Sequence, residues 1–281
     1  MRRLPPLIPL PLLLGFAIPS MSQPVPLVHA LDGEFYGSSL WTDPLWEVCT
    51  YDATLHEDGN QTTRTLLLCT KPVVLTTEFY TEADYPTAQK PLLPALKQVA
   101  VCQAAGPMLP DNQTSVSFTA LLEPHRTLRL TTTHIGARGI TSKDFLPALR
   151  RPLQIYSSPR DGEGAGERLL TLPQITLFEE QLPVVLRALK FEHDLQATFH
   201  LLPPQTTDSA PEPRPSPARL TVEEAPAAWV VLVEAQDRRL IRFEFSSLPP
   251  HLLRSVDHSD GWRWQIRSCE RRATWARPKD P

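Results

Sequence analysis

Hydrophobic and polar positions alternate one for one along much of this chain, the period of an extended strand with one buried face. The clearest case is Ser115 to Leu122, where Val116, Phe118, Ala120 and Leu122 alternate with more polar neighbours. A turn at Glu123 to Arg126 follows, and Leu128 and Leu130 continue the apolar face through Thr127 to His134. This pattern predicts an antiparallel hairpin. A second hairpin joins Pro152–Tyr156 to Arg168–Leu172, and a third joins Trp46–Tyr51 to Thr65–Thr70 around Asp58-Gly59-Asn60. Further strands are expected over Arg219–Glu223, Ala228–Glu234, Leu240–Phe245, Trp262–Arg267 and Arg272–Trp275, with turns at Asp237-Arg238 and Asp260-Gly261.

Helical periodicity is scarce. Pro183 to Lys190 reads as a short helix, with proline in its first turn, Glu179 and Glu180 before it, Arg187 and Lys190 near its end, and Val185, Leu186 and Leu189 as an apolar face. A second short helix is expected from Ser142 or Asp144 to Leu149. Residues 205–218 are rich in proline and polar side chains and read as an exposed loop, because proline removes ladder donors. Residues 23–33 read as a flexible lead-in. The prediction is a mainly β protein: a large curved antiparallel sheet or open barrel with one or two short helices, one of them covering a face. It forms a single domain over residues 34–281.

The first 22 residues have a different pattern. Met1-Arg2-Arg3 is basic, Leu7 to Ile18 is apolar, and Ser20 and Ser22 place small residues at the −3 and −1 positions of a cleavage site. The order reads as a secretory signal peptide over residues 1–22. It is too short and too interrupted by proline for a stable span. The expectation is an exported chain, in the periplasm or outside the cell, with no cysteine at the cut for lipid attachment. Abundant arginine and proline, with only Asn60 and Asn112 as asparagines, point to a GC-rich bacterial source. In that setting the patterns Asn60-Gln61-Thr62 and Asn112-Gln113-Thr114 are turns rather than glycan acceptors.

A net charge of −3 argues against a nucleic-acid partner. The charge is unevenly spread: residues 32–84 are acidic and the C-terminal stretch is rich in arginine. The expectation is that these two regions lie side by side and offset each other. The sharper alternative is a basic face for an anionic ligand. Cys49, Cys69, Cys102 and Cys269 are candidate disulfide cysteines in an oxidising compartment. With Gly59 at the turn centre, Cys49 faces Cys69 across the hairpin, which leaves Cys102 for Cys269. Four cysteines allow three connectivities, and the sequence does not choose among them.

Motifs for established chemistries are missing. There is no Walker loop, no H-E-x-x-H, no C-x-x-C and no G-x-S-x-G elbow around Gly37-Ser38-Ser39. Gly162 to Gly166 forms a G-x-G-x-G string, but a strand rather than a helix follows it, so it reads as a turn. His134, His193 and His200 read as structural or surface groups, Glu192-His193-Asp194 as a loop cluster, and Asp257 with Asp260 as turn carboxylates. No catalytic residue, cofactor or metal site is expected. The six tryptophans read as core packing, with Trp262, Trp264 and Ile266 sharing one face of a strand. The functional alternative for them is an aromatic-lined cavity for an apolar or sugar ligand.

Several segments resemble uncharacterised exported bacterial proteins of planctomycete-type genomes. These are residues 40–48, the hairpin over 114–133, residues 182–189, Asp260-Gly261 and residues 267–275. The layout of long hairpins with a helix also resembles periplasmic lipoprotein-carrier-like domains. That resemblance implies a curved sheet forming an open barrel around a hydrophobic cavity. The resulting expectation is a non-catalytic binding or carrier-like protein of the cell envelope, with an apolar ligand or envelope component as its partner. The alternatives are a secreted hydrolase whose site assembles only in the fold, and a structural envelope protein without a ligand.

Overall fold

The computed structural model describes residues 23–57, 60–83, 91–104 and 111–274. The expected leader, with Ser20 and Ser22, lies outside the described residues, as does Trp275. In chain order the strands are β1 (Val25–Pro26), β2 (Trp46–Glu57), β3 (Asn60–Thr76), β4 (Leu92–Ala104), β5 (Asn112–Ala120) and β6 (Thr127–Gly136). There follow β7 (Gly139–Leu146), β8 (Leu153–Ser158), β9 (Gly164–Leu169), β10 (Thr176–Phe178) and β11 (Gln196–Leu202). The last five are β12 (Ser216–Ala225), β13 (Ala228–Ala235), β14 (Leu240–Ser246), β15 (Leu253–His258) and β16 (Trp262–Arg272).

All belong to one 16-stranded sheet in the order β1-β11-β12-β13-β14-β15-β16-β2-β3-β4-β5-β6-β7-β8-β9, with β10 also on β11. Every pairing is antiparallel except those of β1 and β10, which run parallel to β11. The fold class is therefore as the alternation predicts. Strand twist curls so wide a sheet. Its two ends meet where Phe145 of β7 packs on Phe178 of β10, 5.1 Å between ring centroids, among buried Leu130, Leu170 and Leu202. The result is an open barrel.

Two short helices are present: α1 (Leu27–Ala30) and α2 (Leu182–Val185). Single 3-10 turns at Glu179–Gln181 and Leu186–Ala188 extend α2 at both ends. This segment lies inside the curled sheet instead of covering a face. Leu182, Val184, Val185, Leu186, Ala188 and Leu189 are all buried, and so is Arg187. A short helix apolar all round has no solvent face to offer. Arg187 is accepted because its guanidinium is fully engaged. It pairs through both terminal nitrogens with Glu47 of β2, donates from Nε and Nη2 to Pro250 O at 3.1 Å, and stands 5.5 Å from the Trp41 ring.

Several expectations are corrected. The helix expected over 142–149 is largely strand β7. Thr141, Lys143 and Phe145 point inward while Asp144 pairs outward with Arg129, and an inward lysine hid the period of two. Residues 23–33 are not a loose lead-in, because Val25–Pro26 pairs with β11 and Leu27 and Ala30 are buried. Residues 205–215 have no regular structure, but they are packed rather than free. Gln205 and Ala210 are buried, and Thr132 Oγ1 donates to Gln205 O at 3.1 Å. The acidic and arginine-rich regions do lie side by side: β2 pairs with β16, and Arg267 bonds Asp52 while Arg271 bonds Asp43.

The disulfide is Cys49–Cys269, and Cys69 and Cys102 are free thiols. The β2–β3 ladder ends at Glu57 opposite Asn60, so Cys49 faces Leu68, and Cys69 faces Val48. One residue of register puts Cys49 and Cys69 on opposite faces of the sheet. Cys269 sits directly opposite Cys49 across the β16–β2 pair. Cys102, opposite Leu66 on β3, shares the inward face but is separated from β16 by two strands, β2 and β3.

Two outcomes follow. Denatured, unreduced protein should titrate two thiols, and Cys49→Ala/Cys269→Ala should lose about 5 kcal/mol of stability, because a bridge across 220 residues constrains the unfolded chain strongly; four titratable thiols contradict the assignment. Arg187→Met should cost about 3–5 kcal/mol in chemical denaturation by stranding Glu47, and adding Glu47→Leu should recover much of that loss.

Candidate functional site

The inward face is not filled evenly. Between β3–β5 and β14–β16 it carries Ala100, Cys102 and Ser115, side chains too small to reach the opposite wall. A cavity of about 280 Å³ remains there. Its sheet walls are Leu66 and Leu68 of β3, Ala100 and Cys102 of β4, Gln113 and Ser115 of β5, and Phe243, His258, Trp262 and Trp264 of β14–β16. Glu179, Glu180 and Pro183 close it from the helical segment, Pro204, Thr206 and Thr207 from the strap that follows β11, and Asp260 from the β15–β16 turn.

Register explains the aromatic wall. Trp264 lies opposite Val256 and Trp262 falls near His258, so alternation along both strands sends Val256, His258, Trp262 and Trp264 inward. Arg263, Gln265 and Arg267 are exposed on the other face. The shared face of Trp262, Trp264 and Ile266 is thus as the sequence predicts, and it borders open space as well as core.

The polar wall is a cluster of buried ionisable groups. Glu179 is bonded to Arg239 and lies 3.6 Å from His258 Nδ1. Arg239 also donates from Nε to Asp237 at 2.9 Å, so its charge is shared between two carboxylates. Burial pushes the Glu179 carboxyl up to about 8, and Arg239 draws it back only in part. Burial also raises Glu180, although its Oε1 accepts the backbone N–H groups of Gln205 and Thr206. Burial lowers His258, so the imidazole is neutral. Three buried atoms of this cluster have no hydrogen-bond partner: Glu180 Oε2 and His258 Nε2 on the cavity lining, and Arg239 Nη2 behind it. Beside them, Gln98 donates from Nε2 to Glu180 O at 2.5 Å and leaves its Oε1 unpaired.

The strap is tied down by polar contacts. Lys143 Nζ donates to Thr207 Oγ1 at 2.8 Å, Thr141 Oγ1 to Asp208 O at 3.0 Å, and Arg168 Nη2 to Ala210 O at 3.2 Å. Lys143 is buried on the inward face of β7, and that burial brings its ammonium down to about 8.

The other groups considered from sequence lie apart from this site. His193 and Asp194 form an exposed pair, and Asp257 is bonded to Arg263. His134 bonds Asp111, which also holds Arg64. Gly162 to Gly166 leads into β9 with no helix. Cys69 lies on the outer face with Val48 and Val99, whereas Cys102 lines the cavity. Among the described residues, Glu47, Cys49 and Cys269 have ligand atoms close enough to hold a metal ion. Two of those sulfurs are joined in the disulfide and the carboxylate is on Arg187. Sequence reasoning passed over Glu179, Glu180, Arg239 and His258 as site residues. Its one signal was a pair of adjacent glutamates before an all-apolar helical run, a place where both cannot stay in water.

No family profile matches the sequence, and no curated protein matches it. Among solved structures, a beta-barrel-like protein of domain of unknown function DUF1849 from Brucella abortus is similar at 12% identity, with a TM-score of 0.48. The match covers 82% of this chain and 98% of that one. No described helix is long and apolar enough to cross a membrane.

Glu179 gives a test with a definite sign. Its folded value is raised from 4.5 to about 8, so the folded chain holds a proton that the unfolded chain has released across that window. Its contribution to stability is full below pH 4.5 and is lost as pH rises through about 8. His258 acts oppositely at lower pH, so the difference between proteins is the readout. Urea midpoints of the wild type should fall relative to Glu179→Gln between pH 5 and pH 8; parallel profiles contradict the burial of a protonated carboxyl.

Proposed function

We propose that this is an exported, non-catalytic binding protein that holds a small, partly apolar molecule between the Trp262–Trp264 wall and the Glu179–Ala188 segment. The carrying observation is the cavity itself, about 280 Å³, with leucine and aromatic side chains on one side and unpaired polar atoms on the other. That volume is at the small end for small-molecule sites, which favours a compact ligand over a long-chain lipid. A purely structural envelope protein has less support, since such a protein gains nothing from leaving this space unfilled. Export is supported by the Cys49–Cys269 bridge, which persists in oxidising compartments, and by the leader pattern of residues 1–22.

A second reading, an exported hydrolase, has one observation in its favour. Glu179, Glu180, His258 and Asp260 converge on the cavity, and burial shifts three of them. The bonding favours binding over catalysis. Glu179 is engaged by Arg239 and Glu180 is fixed through Oε1 by two backbone N–H groups, so the two carboxyls are held as a wall and Glu180 Oε2 is left to meet a bound molecule.

Native mass spectrometry of the protein purified from its own source tests the binding reading. The wild type should carry a noncovalent small-molecule adduct, and Ala100→Phe or Ser115→Leu, which fill the cavity, should lose it while melting cooperatively. A wild type with no adduct and no thermal shift against a fragment library overturns the reading. Ester or glycoside turnover that Glu180→Gln abolishes establishes the hydrolase instead.

A further inference from the structure

We propose that the ligand is an organic cation bearing N–H donors, a protonated amine or guanidine on a small apolar body. The inference rests on the binding reading above and deepens it.

The lining residues include three carboxylic side chains, Glu179, Glu180 and Asp260, one imidazole, and no lysine or arginine. The cations nearest to them are already committed. Arg239 is shared between Glu179 and Asp237, and Lys143 is held at Thr207. Arg64, outside the lining, is bonded to Asp111 through Nη2 and stands 5.1 Å from the Trp262 ring, with Nε and Nη1 unpaired. Among the described residues no cation is bonded to Glu180 or Asp260. Burial raises Glu179 and Glu180, and the pull of Arg239 on the first and of Lys143 on the second offsets it only in part.

Among the lining residues the buried unpaired atoms, Glu180 Oε2 and His258 Nε2, point the same way. Gln98 uses its amide N–H on Glu180 O, so its free Oε1 is an acceptor. Glu180 Oε2 is an acceptor once a cation lets the carboxyl ionise, and His258 Nε2 is one when Nδ1–H faces Glu179. An ammonium or guanidinium in the cavity would supply the donors that Glu180 Oε2 and His258 Nε2 lack.

The aromatic wall suits the same head group. The ring faces of tryptophan attract cations, and the chain uses this elsewhere. Lys71 sits over Trp46 at 4.6 Å, Arg187 beside Trp41 at 5.5 Å and Arg168 over Tyr156 at 4.1 Å. Among the described residues no lysine or arginine covers Trp264, whose neighbour is the neutral His258 at 5.5 Å.

Three probes with the same phenyl body test this: 2-phenylethylammonium, 2-phenylethanol and phenylacetate, titrated into the full chain with tryptophan fluorescence and calorimetry as readouts. The ammonium should bind about tenfold or more tightly than the alcohol, and phenylacetate most weakly of all. Ala100→Phe should abolish binding of every probe. Glu180→Gln should bring the ammonium and the alcohol to similar affinity; Asp260→Asn, at an exposed turn, should narrow the gap with no effect on folding. Equal or tighter binding of the alcohol or the anion overturns the cation assignment and leaves the binding reading standing. Failure of all three probes, together with no adduct on the native protein, overturns both.

Discussion

The ion pair between Arg187 and Glu47 fixes the helical segment inside the sheet, and the rest of the interior is arranged around it. A buried guanidinium is tolerated only with its donors satisfied, and Glu47, Pro250 and the Trp41 ring supply that environment from β2 and two loops. Glu47 is two residues from Cys49, and Cys49 is bridged to Cys269. The same short stretch of β2 therefore holds the plug and locks the last strand against the first long one.

With its Arg187 end anchored, the segment presents its other end, Glu179 and Glu180, to the middle of the barrel. Two carboxyls enter an apolar interior next to Trp264 and Phe243, and only one of them has a guanidinium bonded to it. The strap supplies the remaining order through the backbone N–H groups of Gln205 and Thr206. Small residues at Ala100, Cys102 and Ser115 keep the facing wall back. Close packing is the rule in protein interiors, so the retention of this space beside unpaired acceptors is what gives it functional meaning.

Much of the fold was legible because antiparallel sheets announce themselves by period. Val116, Phe118 and Ala120, or Trp262 and Trp264, show which face turns inward without any knowledge of the neighbours. Legibility failed where an inward side chain was polar. Lys143 disguised β7 as a helix, and its ammonium is held by Thr207, 64 residues away. A disulfide was legible from the cysteine count, but its pairing was not, because a single residue of register decides which face a cysteine takes. The cavity wall was missed because Glu179, Arg239 and His258 lie in separate parts of the sequence and meet only when β10, β14 and β15 curl round the segment. The proline-rich stretch looked solvated because many of its contacts are made by backbone carbonyls and amides, which no side-chain pattern reveals.

The two free thiols offer the most direct measurement of the account. Cys102 lies on the cavity wall and is partly exposed, while Cys69 is fully buried on the opposite face of the same sheet. Timed alkylation of the native protein by N-ethylmaleimide, read by peptide mass spectrometry, compares the two sides. Cys102 should be modified well before Cys69, and Ser115→Leu should slow Cys102 alone. Equal rates at the two cysteines, or modification of Cys102 only on global unfolding, would mean that no reachable cavity exists behind the Trp262–Trp264 wall.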